Sequence, residues 1–201
     1  MIIALWFMCG FLSGSLPFSY WIGRIAVHDD IRHYGDGNPG AINALKAGGW
    51  KAGILAILLD YLKGAIPVGL ANFVFDMQGP GLVLVALSPI LGHAFSPFLG
   101  FRGGKAVAVT FGVWTGLLLW EGPTIFGIWL GIFVLVQVVD SWAVVLSMIM
   151  LLVYLALRRF ESDFFFIAVG NLILLTWKHL PDLRQPPRFR PWLLKITGRR
   201  P

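Results

Sequence analysis

Histidine, lysine and closely spaced glycines are the residues of this chain best suited to chemistry, and they gather in three polar stretches. The first runs from Asp30 to Lys46 and holds Gly35-Asp36-Gly37-Asn38-Pro39-Gly40 and Ala41-Ile42-Asn43 in succession. Three glycines and a proline in six residues require a tight backbone path. Glycine reaches positive φ and lets a ligand approach the main chain, and N–H groups exposed in such turns form concavities for anions. An ordinary connecting loop would have the same composition. The second stretch is Phe101-Arg102-Gly103-Gly104-Lys105-Ala106, leading straight into an apolar run. The free N–H groups of a helix N-terminus beside a lysine suit a phosphate. The G-x-x-x-x-G-K-[ST] frame of a Walker loop is absent, because Ala106 follows the lysine. The alternative is a flexible turn with a snorkelling lysine. The third is Lys178-His179-Leu180-Pro181-Asp182-Leu183-Arg184. A histidine at a membrane boundary can serve a soluble substrate as general base, or simply face lipid headgroups.

Two further groups lie within apolar surroundings. Asp60 and Lys63 sit at i,i+3 and can pair on one helix face. Each would cost about 2.5–3.5 kcal/mol alone at mid-membrane, so that face should point into protein or a polar cavity. His93, in Gly92-His93-Ala94, is close in sequence to the Gly-Gly-Lys turn and can donate to a ligand or to a neighbouring helix.

The elements that must position these groups are membrane helices. The chain has 201 residues, 57% hydrophobic and 13% charged, with mean hydropathy +0.77; soluble domains carry about 25% charged residues. A span takes about 20 apolar residues, so about seven spans use nearly the whole chain. The apolar runs place them at 2–25, 53–75, 81–99, 107–120, 123–139, 142–157 and 164–177, followed by a basic tail over 178–201. The expected fold is an all-α, polytopic bundle in a single membrane domain. Arg24, Arg32, Lys46, Lys51, Arg102, Lys105 and the tail fall on one side of it, against only Arg158 and Arg159 on the other. The positive-inside rule makes the rich side cytoplasmic, with the N-terminus outside and the C-terminus inside. The net charge of +6 sits beside apolar runs, which points to anionic lipids or phosphorylated substrates and away from nucleic acid. The single cysteine, Cys9, permits no internal disulfide and no metal cluster, and reads as a small buried residue.

Together the motifs resemble the bacterial acyl-phosphate:glycerol-3-phosphate acyltransferase family, often called PlsY. The resemblance rests on Gly14-Ser15-Leu16-Pro17-Phe18, the Gly35–Asn43 stretch, Leu59-Asp60-Tyr61-Leu62-Lys63-Gly64, Leu91-Gly92-His93, Gly103-Gly104-Lys105 and Lys178-His179. It implies a seven-helix bundle in the bacterial inner membrane, with its site facing the cytoplasm. It also implies transfer of a fatty acyl group from acyl phosphate to the 1-hydroxyl of glycerol 3-phosphate, without coenzyme A, metal or other cofactor. On that footing the catalytic set is His179, Asp182, Asp36 and Ser141, the last matching a family serine at the start of a late span. Gly103, Gly104 and Lys105 would hold one phosphate. Gly37, Asn38, Gly40, Asn43 and Lys46 would hold the other or share it, with His93 nearby. The chain departs from the family pattern where G-S-G-N becomes Gly35-Asp36-Gly37-Asn38 and A-T-N becomes Ala41-Ile42-Asn43. An arginine becomes Lys46, which keeps charge but loses the bidentate fork. G-G-K-G ends in Ala106, and H-x-x-N ends in Asp182. These departures leave open a relative that acylates another acceptor. Intramembrane Asp60 and Lys63 leave open a transporter or non-catalytic binding protein, although the polar motifs cluster on one side only. A coenzyme-A acyltransferase of the H-x-x-x-x-D type is disfavoured, since no histidine here has Asp five positions later.

Overall fold

The structure, a computed structural model, describes residues 1–158 and 161–196; Arg159, Arg199 and Arg200 of the charge pattern lie outside them. Among the described residues the fold is all-helical. Five stretches are long and apolar enough to cross a membrane, namely Ile2–Val27, Ala41–Val74, Gly79–Leu99, Asp140–Leu157 and Ser162–Leu183. Two shorter apolar helices, Val107–Leu118 and Glu121–Val136, lie between them in sequence.

Helix ends differ from the ends of the apolar runs at several places, each for a local reason. The first run is two helices, α1 (Ile2–Ser15) and α2 (Phe18–Val27). Pro17 forces Leu16 out of the helical region, to ψ 117°, because a proline ring clashes with a preceding helical residue. Helix α3 (Ala41–Gly69) begins twelve residues before the apolar run does, at Ala41 instead of 53. Ala41–Lys46 are therefore helical, not loop. A kink at Gly49, φ 74°, is open only to a residue without Cβ. Helices α4 (Gly79–Ala94), α5 (Val107–Leu118), α6 (Glu121–Val136) and α7 (Asp140–Leu157) follow. Helix α8 (Ser162–Leu183) extends past Trp177, so Lys178, His179 and Asp182 stand on a helix and not in a tail. Short α9 (Pro191–Ile196) closes the described chain.

Lipid offers no hydrophobic drive between helices, so close packing of small residues holds the bundle. A Cβ on Gly14 or Gly92 would meet main-chain atoms across the α1–α4 contact, and one on Gly112 would meet Tyr61 and Ala65 of α3. Trp114, Phe126, Met148, Leu151 and Ile167 fill the interior. Large apolar side chains such as Ile54, Ile66, Ile128 and Ile173 cover the outside. Cys9 is also exposed there, correcting its expected burial: α1 turns that face outward.

The break at Leu16 explains the charges inside α3. Lys63 Nζ donates to the Leu16 carbonyl at 2.8 Å, and Ser13 Oγ donates to the Lys63 carbonyl. Asp60 pairs with Lys63 at 2.7 Å and accepts from Ser19. Both charges are almost fully buried, 1% and 4% exposed. Removing one partner of such a pair strands the other, so Asp60→Ala should destabilise the fold by about 3 kcal/mol. Thermal unfolding of the purified variant in detergent checks this; an unchanged midpoint would show that Lys63 does not depend on Asp60.

Candidate active site

Five separate elements deliver polar groups to one end of the bundle. Gly35 and Gly37 turn the α2–α3 loop at φ 60° and 73°, as their glycines require, and this aims Asp36 inward. Asn43, buried in the first turn of α3, donates to Asp36 Oδ1 at 3.0 Å and to the Asn38 carbonyl at 2.9 Å. The Asn38 N–H also donates to Asp36. From the α4–α5 turn, Lys105 Nζ reaches Asp36 at 2.7 Å and Asp182 of α8 at 2.6 Å. Ser141, in the first turn of α7, donates to the same Asp182 oxygen at 2.8 Å and lies 2.8 Å from His179 Nδ1.

The direction of these bonds fixes which ring nitrogen of the histidine donates to Ser141. An ionised carboxylate only accepts, and a hydroxyl has one proton to give. Ser141 gives that proton to Asp182, so it must accept from Nδ1–H of His179. In the neutral ring, the form a general base needs, Nε2 is then the unprotonated nitrogen. It is buried, with no hydrogen-bond partner among the described residues, although the Lys105 main chain lies beside the ring. Burial pushes the Asp36 carboxyl up, but Lys105 and the Asn38 and Asn43 donors outweigh it and hold the group below its ordinary value. Burial likewise lowers Lys105, yet its bonds to Asp182 and Asp36 leave it raised.

Two cavities share this wall. A polar one of about 490 Å³ is lined by Arg32, Gly37, Arg102, Gly103 and Lys178. A larger one of about 710 Å³ runs past Gly40, Lys46, His93 and His179 to an apolar end at Phe111, Leu130 and Val134. Asp36, Asn38, Lys105 and Asp182 line both. Such volumes suit small-molecule ligands, and the pair joins a water-soluble compartment to an apolar one.

All the residues expected to act thus come to one end, but two expectations change. The Lys105 ammonium is not open to a phosphate alone, since two carboxylates already hold it. The Gly104 N–H is not free either: it donates to the His93 carbonyl at 3.1 Å. Gly103 and Gly104 serve packing, because a Cβ on either would collide with His93. Ala106, where the family pattern has glycine, takes φ 64°, a strained region for a residue with Cβ that costs about 1–2 kcal/mol. His93 itself sits 4.0 Å from Asp60 and opens on the larger cavity.

Sequence reasoning left Lys178 without a role. Its Nζ donates to the carbonyls of Ala94 and Gly103 at 2.9 and 3.0 Å, pinning the Gly-Gly-Lys turn to α4. A lysine one residue before the candidate base was the available signal. The Trp114–Asn171–Thr110 chain buried between α5 and α8 had no such signal, since each is unremarkable in an apolar run.

Known proteins match this chain in sequence and in fold. The model of the family described as glycerol-3-phosphate acyltransferase matches residues 4–186. Glycerol-3-phosphate acyltransferase 1 of Thermotoga maritima is 38% identical over 189 residues, covering 87% of this chain and 93% of that protein. The glycerol-3-phosphate acyltransferase of Coxiella burnetii is 35% identical over 175 residues, covering 87% and 89%. The crystal structure of PlsY (YgiH), an integral membrane glycerol 3-phosphate acyltransferase, in its glycerol 3-phosphate form has a TM-score of 0.83 at 29% identity, covering 100% of this chain and 95% of that one. Its lysophosphatidic acid form has a TM-score of 0.82 at 28% identity with the same coverage. Matched along nearly its whole length in sequence and fold, this chain belongs to the glycerol-3-phosphate acyltransferase family of integral membrane proteins.

Proposed function

We propose that this chain transfers a fatty acyl group from acyl phosphate to the 1-hydroxyl of glycerol 3-phosphate, giving lysophosphatidate and inorganic phosphate. The observation that carries the reading is the unpartnered Nε2 of His179, held beside Lys105 where the polar and apolar cavities meet. The acyl chain takes the apolar end of the larger cavity. Glycerol 3-phosphate enters from the polar side, where Arg102 and Lys178 supply positive charge. His179 Nε2 takes the hydroxyl proton as the hydroxyl oxygen attacks the acyl carbonyl. The C–O bond to phosphate then breaks, and the imidazolium returns its proton to the departing phosphate. Acyl phosphate is an activated anhydride, so positioning and charge stabilisation supply most of the acceleration.

That end also carries the excess of Lys and Arg. Under the positive-inside rule it faces the cytoplasm of a bacterial inner membrane, with seven spans, the N-terminus outside and the basic tail inside. Purified protein given acyl phosphate and glycerol 3-phosphate should form lysophosphatidate. No product, where a typical family member makes it, would sink the reading.

One observation favours a second acceptor. Asp36 and Asp182 already satisfy Lys105, which suits an acceptor with less negative charge than a phosphate dianion. Asp36→Ser decides between them. If glycerol 3-phosphate is the acceptor, removing the competing carboxylate should lower its KM about tenfold, equivalent to ~1.4 kcal/mol. A rise in KM, with better turnover of a neutral polyol by the parent chain, would establish the second reading.

A further inference from the structure

The segment after α8 makes an unusual set of bonds to the corner between α6 and α7. A helix leaves its last four carbonyls, or about that many, without partners of its own. In α6, Phe133 O is met by the Gln137 N–H, and the three that follow are met from the C-terminal segment. Arg190 Nε donates to Val134 O at 2.9 Å, Trp192 Nε1 to Leu135 O at 3.2 Å, and the Arg190 N–H to Val136 O at 2.8 Å. The Val138 N–H in turn donates to Arg188 O at 2.9 Å, beside an antiparallel bridge from Gln137 to Phe189. On the α7 side, Trp142 Nε1 donates to Gln185 O at 2.8 Å, and the Arg190 guanidinium lies 3.7 Å from Asp140. The corner being tied is the one that carries Ser141. Val138, Val139, Asp140, Ser141 and Gln185 line the larger cavity together.

We infer that residues 185–192 form a strap that positions Ser141 for His179, with Arg190 as its anchoring residue. The chain leaves α8 directly after Asp182, crosses to the α6–α7 corner, and is tied there at both of its helices. Asp182 and Ser141 are thus joined twice, once by their own hydrogen bond and once through the strap. Loosening the strap frees the corner, lengthens the Ser141–Asp182 and Ser141–His179 bonds, and releases the tautomer they impose. The family match ends at residue 186, so most of the strap lies beyond it. The inference rests on the reading of His179 as the base.

The test is a double-mutant cycle on the full chain in lipid nanodiscs, with amide hydrogen exchange as a second measurement. Arg190→Ala should lower kcat about tenfold, a loss expected from a sub-ångström displacement of a catalytic relay, with KM for glycerol 3-phosphate within about twofold. Arg190→Lys keeps the charge near Asp140 and should recover part of the loss. In a Ser141→Ala background, Arg190→Ala should cost less than about twofold, because residues acting through one another are not additive. Equal losses in both backgrounds, or none in the parent, would overturn the strap. Amides 137–142 should exchange faster in Arg190→Ala than in the parent; unchanged exchange overturns it too. If Arg190→Ala does not fold, Trp192→Phe removes a single carbonyl cap and is read in the same way. If the parent makes no lysophosphatidate, the activity reading fails, and the exchange result alone decides the strap.

Discussion

Replacing His179 by glutamine is expected to lower kcat by about 10²–10⁴-fold, the range for loss of a positioned general base. The reason lies in the bonds around the ring. Asp182 can only accept, Ser141 has one proton, and Nδ1 must therefore donate. The nitrogen left with a lone pair is the buried Nε2. Glutamine can still bond to Ser141 but presents no comparable base. Steady-state kinetics with saturating acyl phosphate measures the loss, and thermal unfolding shows whether the fold is kept. A folded variant that loses less than tenfold would remove His179 from the proton transfer and leave the reaction to substrate phosphate or water.

Lys105→Met is expected to reduce kcat/KM for glycerol 3-phosphate by about 10³-fold, the upper range for removing one preorganised charge-stabilising donor. Two losses combine. On the proposed mechanism the departing phosphate loses an ammonium beside it, and Asp36 and Asp182, both bound to that ammonium, are left close together with like charge. Like carboxylates in one site cannot both stay ionised easily, and one takes up a proton. A protonated Asp182 could donate back to Ser141 and release the His179 tautomer. Adding Asp36→Asn to Lys105→Met relieves the repulsion, so the double variant should recover stability without recovering activity. If activity returned as well, Lys105 would serve only to neutralise the two carboxylates.

Several parts of this site were legible before any fold was known. The Gly35 and Gly37 turn followed from composition, and both glycines do take positive φ. Asp60 and Lys63 were expected to pair by their spacing, and they do. The helix boundaries were less legible. The first turns of α3 carry Asn43, Lys46 and the Gly48-Gly49 pair among apolar residues, and that mixture so close to the glycine turn reads as loop. The C-terminal turns of α8 carry Lys178, His179 and Asp182 and read as tail. A proline inside an apolar run left the run looking continuous although Pro17 ends one helix and starts another.

What the sequence determined by itself is the membrane setting, the helical class and the end of the bundle where charge collects. Those are sums over local residue properties: hydropathy sets burial in lipid, and Lys and Arg avoid crossing it. Only the tertiary structure decided who holds whom. Lys105 meets partners 69 and 77 residues away, and Ser141 meets Asp182 and His179 across 41 and 38. No periodicity encodes such pairings. They depend on helix packing to within an ångström, and that distance determines whether the lysine is free, which glycine N–H is taken, and which nitrogen of His179 carries the proton.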